Sequence, residues 1–263
     1  MPRVRINDLH FHYELQGKGH PLVLISGYTC DHYVWESVRE MLAEHFQLLL
    51  FDNRAAGQSE YPHAPFTIEQ MASDTMGLID HLGLQHPHVI GHSMGSAIAQ
   101  TLAHRHGAKL GKIVLAASFA KLNAVCMASL NFFYHLRLDG VHPARLIEGI
   151  LPWLSSSSFM ADSKNVAQAI DMRLHAPYPQ SEIGQKYQLE ALSHFDSRSW
   201  IKKITSPMLA ISGEADILCP PRELHHFVQD MPNMKFVTIP EMSHTFHLER
   251  PQEFVRLVLD FLK

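Results

Sequence analysis

Short apolar runs alternate with longer helix-period segments along most of this chain, and that rhythm leaves few folds open. Pro21–Ile25, Gln47–Phe51, His88–Ile90, Lys112–Ala117, Met208–Ser212 and Lys235–Ile239 read as strands. The first, Pro21-Leu22-Val23-Leu24-Ile25, is apolar throughout, the pattern of a strand covered on both faces. Helical spacing fills the intervals: Tyr33–His45, Thr67–Leu82, Met94–His106, Arg222–Met231 and Pro251–Leu262. Thr67, with Gln70 three residues on, has the form of a capping box. At the amino end, Val4–Ile6 and His10–Leu15 alternate about Asn7-Asp8, a hairpin signal. Repeated strand-helix alternation demands a mostly parallel, doubly wound α/β sheet with right-handed crossovers.

The rhythm breaks once. Residues 120–195 hold no clear strand and read as helices over Leu122–Leu138, Pro143–Leu154, Ser163–Leu174 and Glu182–His194. Ser155–Ser158 is too short to count as a linker. The expected organisation is therefore a core of residues 1–119 and 196–263 with a helical cap of residues 120–195. Such an insertion falls at the carboxyl ends of the strands, where open α/β sheets keep their sites.

Composition narrows the partners. A chain of 263 residues buries a full core without disulfides or metals. A formal net charge of −4 gives no reason to expect nucleic acid or an anionic membrane. MPRVRINDLH lacks the apolar stretch of a signal peptide, and no apolar run approaches a membrane span. Cys30, Cys126 and Cys219 lie far apart with no zinc spacing, so reduced thiols in a cytoplasmic protein are expected. The pairs His10/His12, His86/His88 and His225/His226 have ligand-like spacing, but no third ligand clusters nearby. They read as surface histidines, and neither a metal nor a cofactor is expected.

One junction carries chemistry. Val89-Ile90 runs into Gly91-His92-Ser93-Met94-Gly95, and a helix follows. A strand-to-helix turn this tight strains its middle residue and needs glycines two positions away on each side. Ser93 then stands above the sheet beside a helix amino terminus, whose free amides suit an oxyanion. His92, adjacent to it, reads as a packing histidine. A serine hydroxyl needs a base, and the base an orienting acid. Gly213-Glu214-Ala215-Asp216 follows one late strand, and Pro240-Glu241-Met242-Ser243-His244 follows the next. Asp216 and His244 thus reach the same edge as Ser93. Glu214 and His247 are their rivals. The backbone amides of Met94 and of Tyr28, after Gly27, are the expected oxyanion donors.

The chain resembles the α/β-hydrolase superfamily over essentially its whole length. The matching stretches are LVLISGYTCDHYVW, LLLFDNRAAGQSE, VIGHSMGSAIAQ, MLAISGEADILCP and IPEMSHTFHLERPQEFVRLVLDFL. The last is similar to the family's histidine loop, and Glu249 and Pro251 at the usual distance select His244 over His247. Asp52-Asn53-Arg54 resembles the branch of small-ester hydrolases and enol-lactonases, which work without a cofactor. Three positions depart from the pattern. Ser26 replaces the usual histidine before Gly27, Ser243 replaces a glycine before His244, and Ala55 replaces a glycine after Arg54. A serine nucleophile sets the chain apart from the dehalogenases and epoxide hydrolases of this fold, which attack with aspartate.

The resemblance and the triad together imply a carboxylic ester, thioester or lactone hydrolase. The cap supplies apolar side chains, so the substrate is expected to be a small molecule with an apolar acyl or aryl group. Phe133, Trp153 and Phe159 are the candidate substrate contacts. Arg137, Arg145 and Arg173 keep a carrier-protein-bound acyl chain open, as its methyl ester. C–C bond hydrolysis of a vinylogous diketone and perhydrolysis use the same triad and stand as alternatives. A ligand receptor on this scaffold would not need all three residues.

Overall fold

A computed structural model describes residues 2–263; Met1, the first residue of the expected core, lies outside them. The hairpin is β1 (Arg3–Ile6) and β2 (Leu9–Gln16), and β3 (His20–Ile25) follows. Helix α1 (Glu36–Ala43) leads to β4 (Phe46–Phe51), α2 (Ile68–His81), β5 (His88–His92), α3 (Met94–His106) and β6 (Ile113–Ala116). Five helices come next: α4 (Ala124–Leu138), α5 (Pro143–Leu154), α6 (Ser157–Ala161), α7 (Ser163–Leu174) and α8 (Glu182–His194). The alternation resumes with β7 (Met208–Gly213), α9 (Pro221–Val228), β8 (Met234–Ile239), α10 (Phe246–Glu249) and α11 (Pro251–Leu262).

The eight strands form one sheet in the order β1-β2-β4-β3-β5-β6-β7-β8. The first two strands pair antiparallel to their neighbours, and the remaining pairings are parallel. Leu22–Ile25 are wholly buried, as a run with no polar face requires. Their side chains alternate between two cores. Leu22 and Leu24 join Leu48, Leu50 and Ile90 under α1, α10 and α11. Val23 and Ile25 join Leu49, Phe51 and Val89 under α2, α3 and α9. The chain order reverses about β3, so β3 and β5 flank the switch point where such sheets bind ligands. Among the described residues no helix is long and apolar enough to cross a membrane.

The five-helix insert is fastened to the sheet by specific bonds. Gln188 of α8 is fully buried; its amide donates to Arg54 O and accepts from Thr29 N. Gln180 donates to Ala55 O at 2.6 Å. At the other end Thr245 N donates to Leu154 O at 3.0 Å, and Ser156 N donates to the Glu249 carboxylate. Sequence reasoning passed over α6. Ser156 caps it by accepting from Phe159 N, and the same hydroxyl bonds Glu249. A serine run that suggests coil is held as a helix by a partner 93 positions away.

Candidate active site

The turn between β5 and α3 has the strain its sequence requires. Ser93 adopts φ 54° and ψ −119°, a region that side chains avoid. Ser93 N donates to Ala116 O at 2.9 Å, and Ser93 O accepts from Ser96 N and from the Ser96 hydroxyl. These bonds from two elements hold the strained residue. A Cβ on Gly91 would collide with Gly95 O, and one on Gly95 with Ile25 O. The two glycines therefore let α3 start against the ends of both β5 and β3. A Cβ on Gly27 would come within 3.2 Å of Ser93 Cβ, so the loop after β3 also closes on the serine. Met94 opens α3, and its amide is among those without an intrahelical acceptor.

Asp216 and His244 are brought together from the loops after β7 and β8. Asp216 Oδ2 lies 2.8 Å from His244 Nδ1, and both side chains are buried. Asp216 Oδ1 accepts from Leu218 N and Cys219 N, each at 2.9 Å. Burial by itself would raise the Asp216 carboxyl; the charge and hydrogen bond of His244, with the two amides, outweigh it and hold the group below the usual carboxylate range. The rivals lie elsewhere. Glu214 is exposed and accepts from Glu241 N at 3.2 Å. His247 is wholly buried against Trp35 and His92, with ring centroids 5.3 and 4.3 Å away.

Sequence reasoning missed one part of this arrangement. His92 does not merely pack: its Nε2 donates to the backbone carbonyl of His244 at 3.0 Å. Burial lowers His92 to about 3 and takes His247 well below the usual histidine value. Two neutral imidazoles thus stand behind His244, and neither repels a positive charge forming on it. No local pattern could have signalled a bond between residues 152 positions apart.

The departures can be placed as well. Ser26 is buried, its hydroxyl has no hydrogen-bond partner among the described residues, and its carbonyl accepts from Asn53 Nδ2 at 3.0 Å. Ala55 turns with φ 62°, the conformation for which a glycine is the usual choice. Glu241, an exposed residue on the way to His244, has φ 64°. Replacing it with glycine removes that strain at a smaller cost in unfolded-chain entropy. Glu241→Gly is expected to stabilise the fold by about 0.5 kcal/mol, raising the melting temperature by roughly 1–2 °C in a thermal scan.

Of the candidate substrate contacts, Phe133 and Trp153 line an apolar cavity of about 500 Å³ with Ala124, Val125 and Phe132; its wall is made of the helical insert and includes none of Ser93, Asp216 and His244. Phe159, half-buried on α6, is not in its wall. Cys219 is buried behind Asp216, and burial raises its thiol well above the usual value, so it stays protonated. The surface reading of His12 is corrected: it is fully buried, with Glu14 and His32 beside it. Glu14 follows it two residues on in β2, and His32 comes from the loop after β3.

Known proteins resemble this chain in sequence and in fold. The family described as alpha/beta hydrolase fold matches residues 20–139. Over 256 residues the chain is 29% identical to a pimeloyl-acyl-carrier-protein methyl ester esterase of Vibrio vulnificus, covering 95% of this chain and 97% of that one. A thermophilic esterase from Thermogutta terrifontis superposes with a TM-score of 0.86 at 25% identity, over 100% of this chain and 98% of that one. The enol-lactonase of Burkholderia xenovorans gives 0.86 at 27% identity, over 99% of each.

Proposed function

The chain belongs to the α/β-hydrolase superfamily, and from that premise we propose that it is a cofactor-free serine hydrolase of carboxylic esters. Ser93 Oγ attacks the ester carbonyl while His244 Nε2 takes its proton. The backbone amides of Tyr28 and Met94 hold the oxyanion that forms. His244 returns the proton to the leaving alkoxide, and an acyl group remains on Ser93. Water then attacks the acyl-enzyme, its proton passing to His244; His244 gives that proton to Ser93 Oγ as the acyl bond breaks, and the acid departs. Asp216 keeps the proton of His244 on Nδ1 and stabilises the imidazolium. The observation that carries this reading is the buried Asp216–His244 bond of 2.8 Å on the same sheet edge as the strained Ser93.

The helices of residues 120–195 act as a cap over that edge. The apolar side chains these helices carry, Phe133 and Trp153 included, favour an apolar acyl or aryl group. A narrower reading, favoured by the Vibrio relative, is methyl-ester hydrolysis on an acyl chain bound to a carrier protein.

Mass spectrometry after a fluorophosphonate probe, alongside a p-nitrophenyl ester series of rising acyl length, tests the proposal. One adduct, absent from Ser93→Ala, together with turnover on the series is expected. An adduct without turnover would move the reading to C–C hydrolysis or a specialised acyl donor. No adduct on the folded protein would overturn it.

A further inference from the structure

A second group of buried polar side chains lies outside the triad. His12 and Glu14 share one face of β2, and His32 stands in the loop after β3. His12 and His32 are wholly buried, yet neither nitrogen of His12, nor Nε2 of His32, has a hydrogen-bond partner among the described residues. Three such orphaned atoms in one place are costly. Two of them, the Nε2 atoms of His12 and His32, converge on one acceptor. Glu14 Oε1 lies 3.7 Å from His12 Nε2 and 3.5 Å from His32 Nε2. Both separations are too long for good hydrogen bonds. They are a few tenths of an ångström beyond the roughly 3.3–3.4 Å between neighbouring ligands on a tetrahedral zinc ion.

The surroundings orient these atoms as an outer shell does. Asp52 Oδ1 lies 2.7 Å from His32 Nδ1 and also accepts from His32 N. That carboxylate places the ring proton on Nδ1 and leaves the lone pair of Nε2 facing Glu14. Arg39 Nη2 binds Glu14 Oε2 at 2.6 Å, which leaves Oε1 for the shared centre. Asp52 is fixed in turn by Gln58 N on Oδ2. The carboxylates of Glu14, Asp31 and Asp52 surround His32, against the cations Arg39 and Arg3 nearby.

We propose that His12, Glu14 and His32 bind one divalent transition-metal ion, zinc fitting best, and that the ion ties strand β2 to the loop after β3. Two imidazole nitrogens beside one carboxylate suit zinc, whereas magnesium and calcium prefer sites built of oxygen ligands alone. Glu14 is only partly buried, so water can complete the coordination. The ion would brace the loop that carries Tyr28 without touching the reacting atoms. Asp216, Cys219 and His244 also lie within ligand reach of one another. There the His244 nitrogen is already bonded to Asp216 and the thiol keeps its proton, so that trio carries no such inference.

The test takes the chelator-stripped full chain, equilibrates it with zinc chloride, removes excess by gel filtration and measures bound metal. One equivalent is expected, with a melting temperature raised by roughly 5 °C and no rise with magnesium. His12→Phe and Glu14→Gln should each lose that equivalent and the thermal shift. Cobalt should give the intense visible bands of a four- or five-coordinate site in the wild type only. Should His12→Phe fail to fold, Glu14→Gln decides alone, because it keeps shape and removes the charge. No retained zinc in the wild type, or a full equivalent retained by the variants, would overturn the proposal. Neither result bears on Ser93, so this inference stands or falls apart from the hydrolase reading.

Discussion

Ser93→Ala is expected to lower ester turnover by at least about ten-thousand-fold, with the fold unchanged. In the proposed mechanism, removing Oγ removes the nucleophile, while the amides of Tyr28 and Met94, the proposed oxyanion donors, remain to give a residual rate. Ser93→Gly should be equally inactive but more stable. The serine sits at φ 54° and ψ −119°, where a side chain costs about 1–3 kcal/mol. Glycine tolerates this conformation, and its extra unfolded-state entropy offsets about 0.5–1 kcal/mol. A net gain of about 1 kcal/mol is therefore expected, read as a shift of the urea midpoint at constant m value. Alanine, which keeps the Cβ, should show no such gain. If both variants melt like the wild type, the strain at the turn is not being stored. If Ser93→Ala retains turnover, the nucleophile lies elsewhere.

The strain also explains why this part of the chain was readable. Only glycines fit where α3 closes on β5 and β3, so the sequence must declare the turn locally. The same holds for β3, where burial of Leu22–Ile25 on both faces forces an unbroken apolar run, and for α2, where Thr67 and Gln70 form the capping box their spacing suggests. Helices α5, α7 and α11 begin and end where periodicity puts them. The segment expected as one helix from Tyr33 instead opens with a 3-10 turn over His32–Trp35, because Asp31 caps that turn and His32 is drawn to Asp52.

What stayed hidden depends on partners far away in sequence. His12 looks like an exposed alternating residue of a hairpin until β2 pairs with β4 and the loop after β3 covers it. His92 looks like packing until the loop after β8 brings His244 O to it. Ser156 looks like coil until Glu249 arrives. In each case a polar group is committed by tertiary structure, and periodicity describes only the apolar side of a chain.

Asp216→Asn separates geometry from chemistry. Asp216 Oδ1 accepts two backbone amides, so in the variant the asparagine oxygen must stay there; the reverse orientation would set a donor against two donors. The NH₂ group then faces His244 Nδ1 in place of Oδ2. It donates to that nitrogen, the ring proton moves to Nε2, and the imidazole no longer accepts the proton of Ser93. Turnover is expected to fall by roughly a thousand- to ten-thousand-fold with little change in KM, since no group against the substrate has moved. Fluorophosphonate labelling should slow in parallel, as it depends on the same base.

The stability of Asp216→Asn should depend on pH in a definite direction. The folded protein holds the Asp216 carboxyl below its usual range, so its ionised form contributes stability above the unfolded value of about 4. That contribution is lost as pH falls through the folded value. The stability difference between wild type and variant should thus be steady at neutral pH and shrink on acidification below about pH 4. Denaturant unfolding at a series of pH values measures it. A difference that grows on acidification would mean the carboxyl is protonated in the folded protein and orients no imidazole. Asp216→Ala would lose turnover too, but it also strands two buried amides at a cost of about 1–3 kcal/mol each, so only the asparagine variant isolates the tautomer.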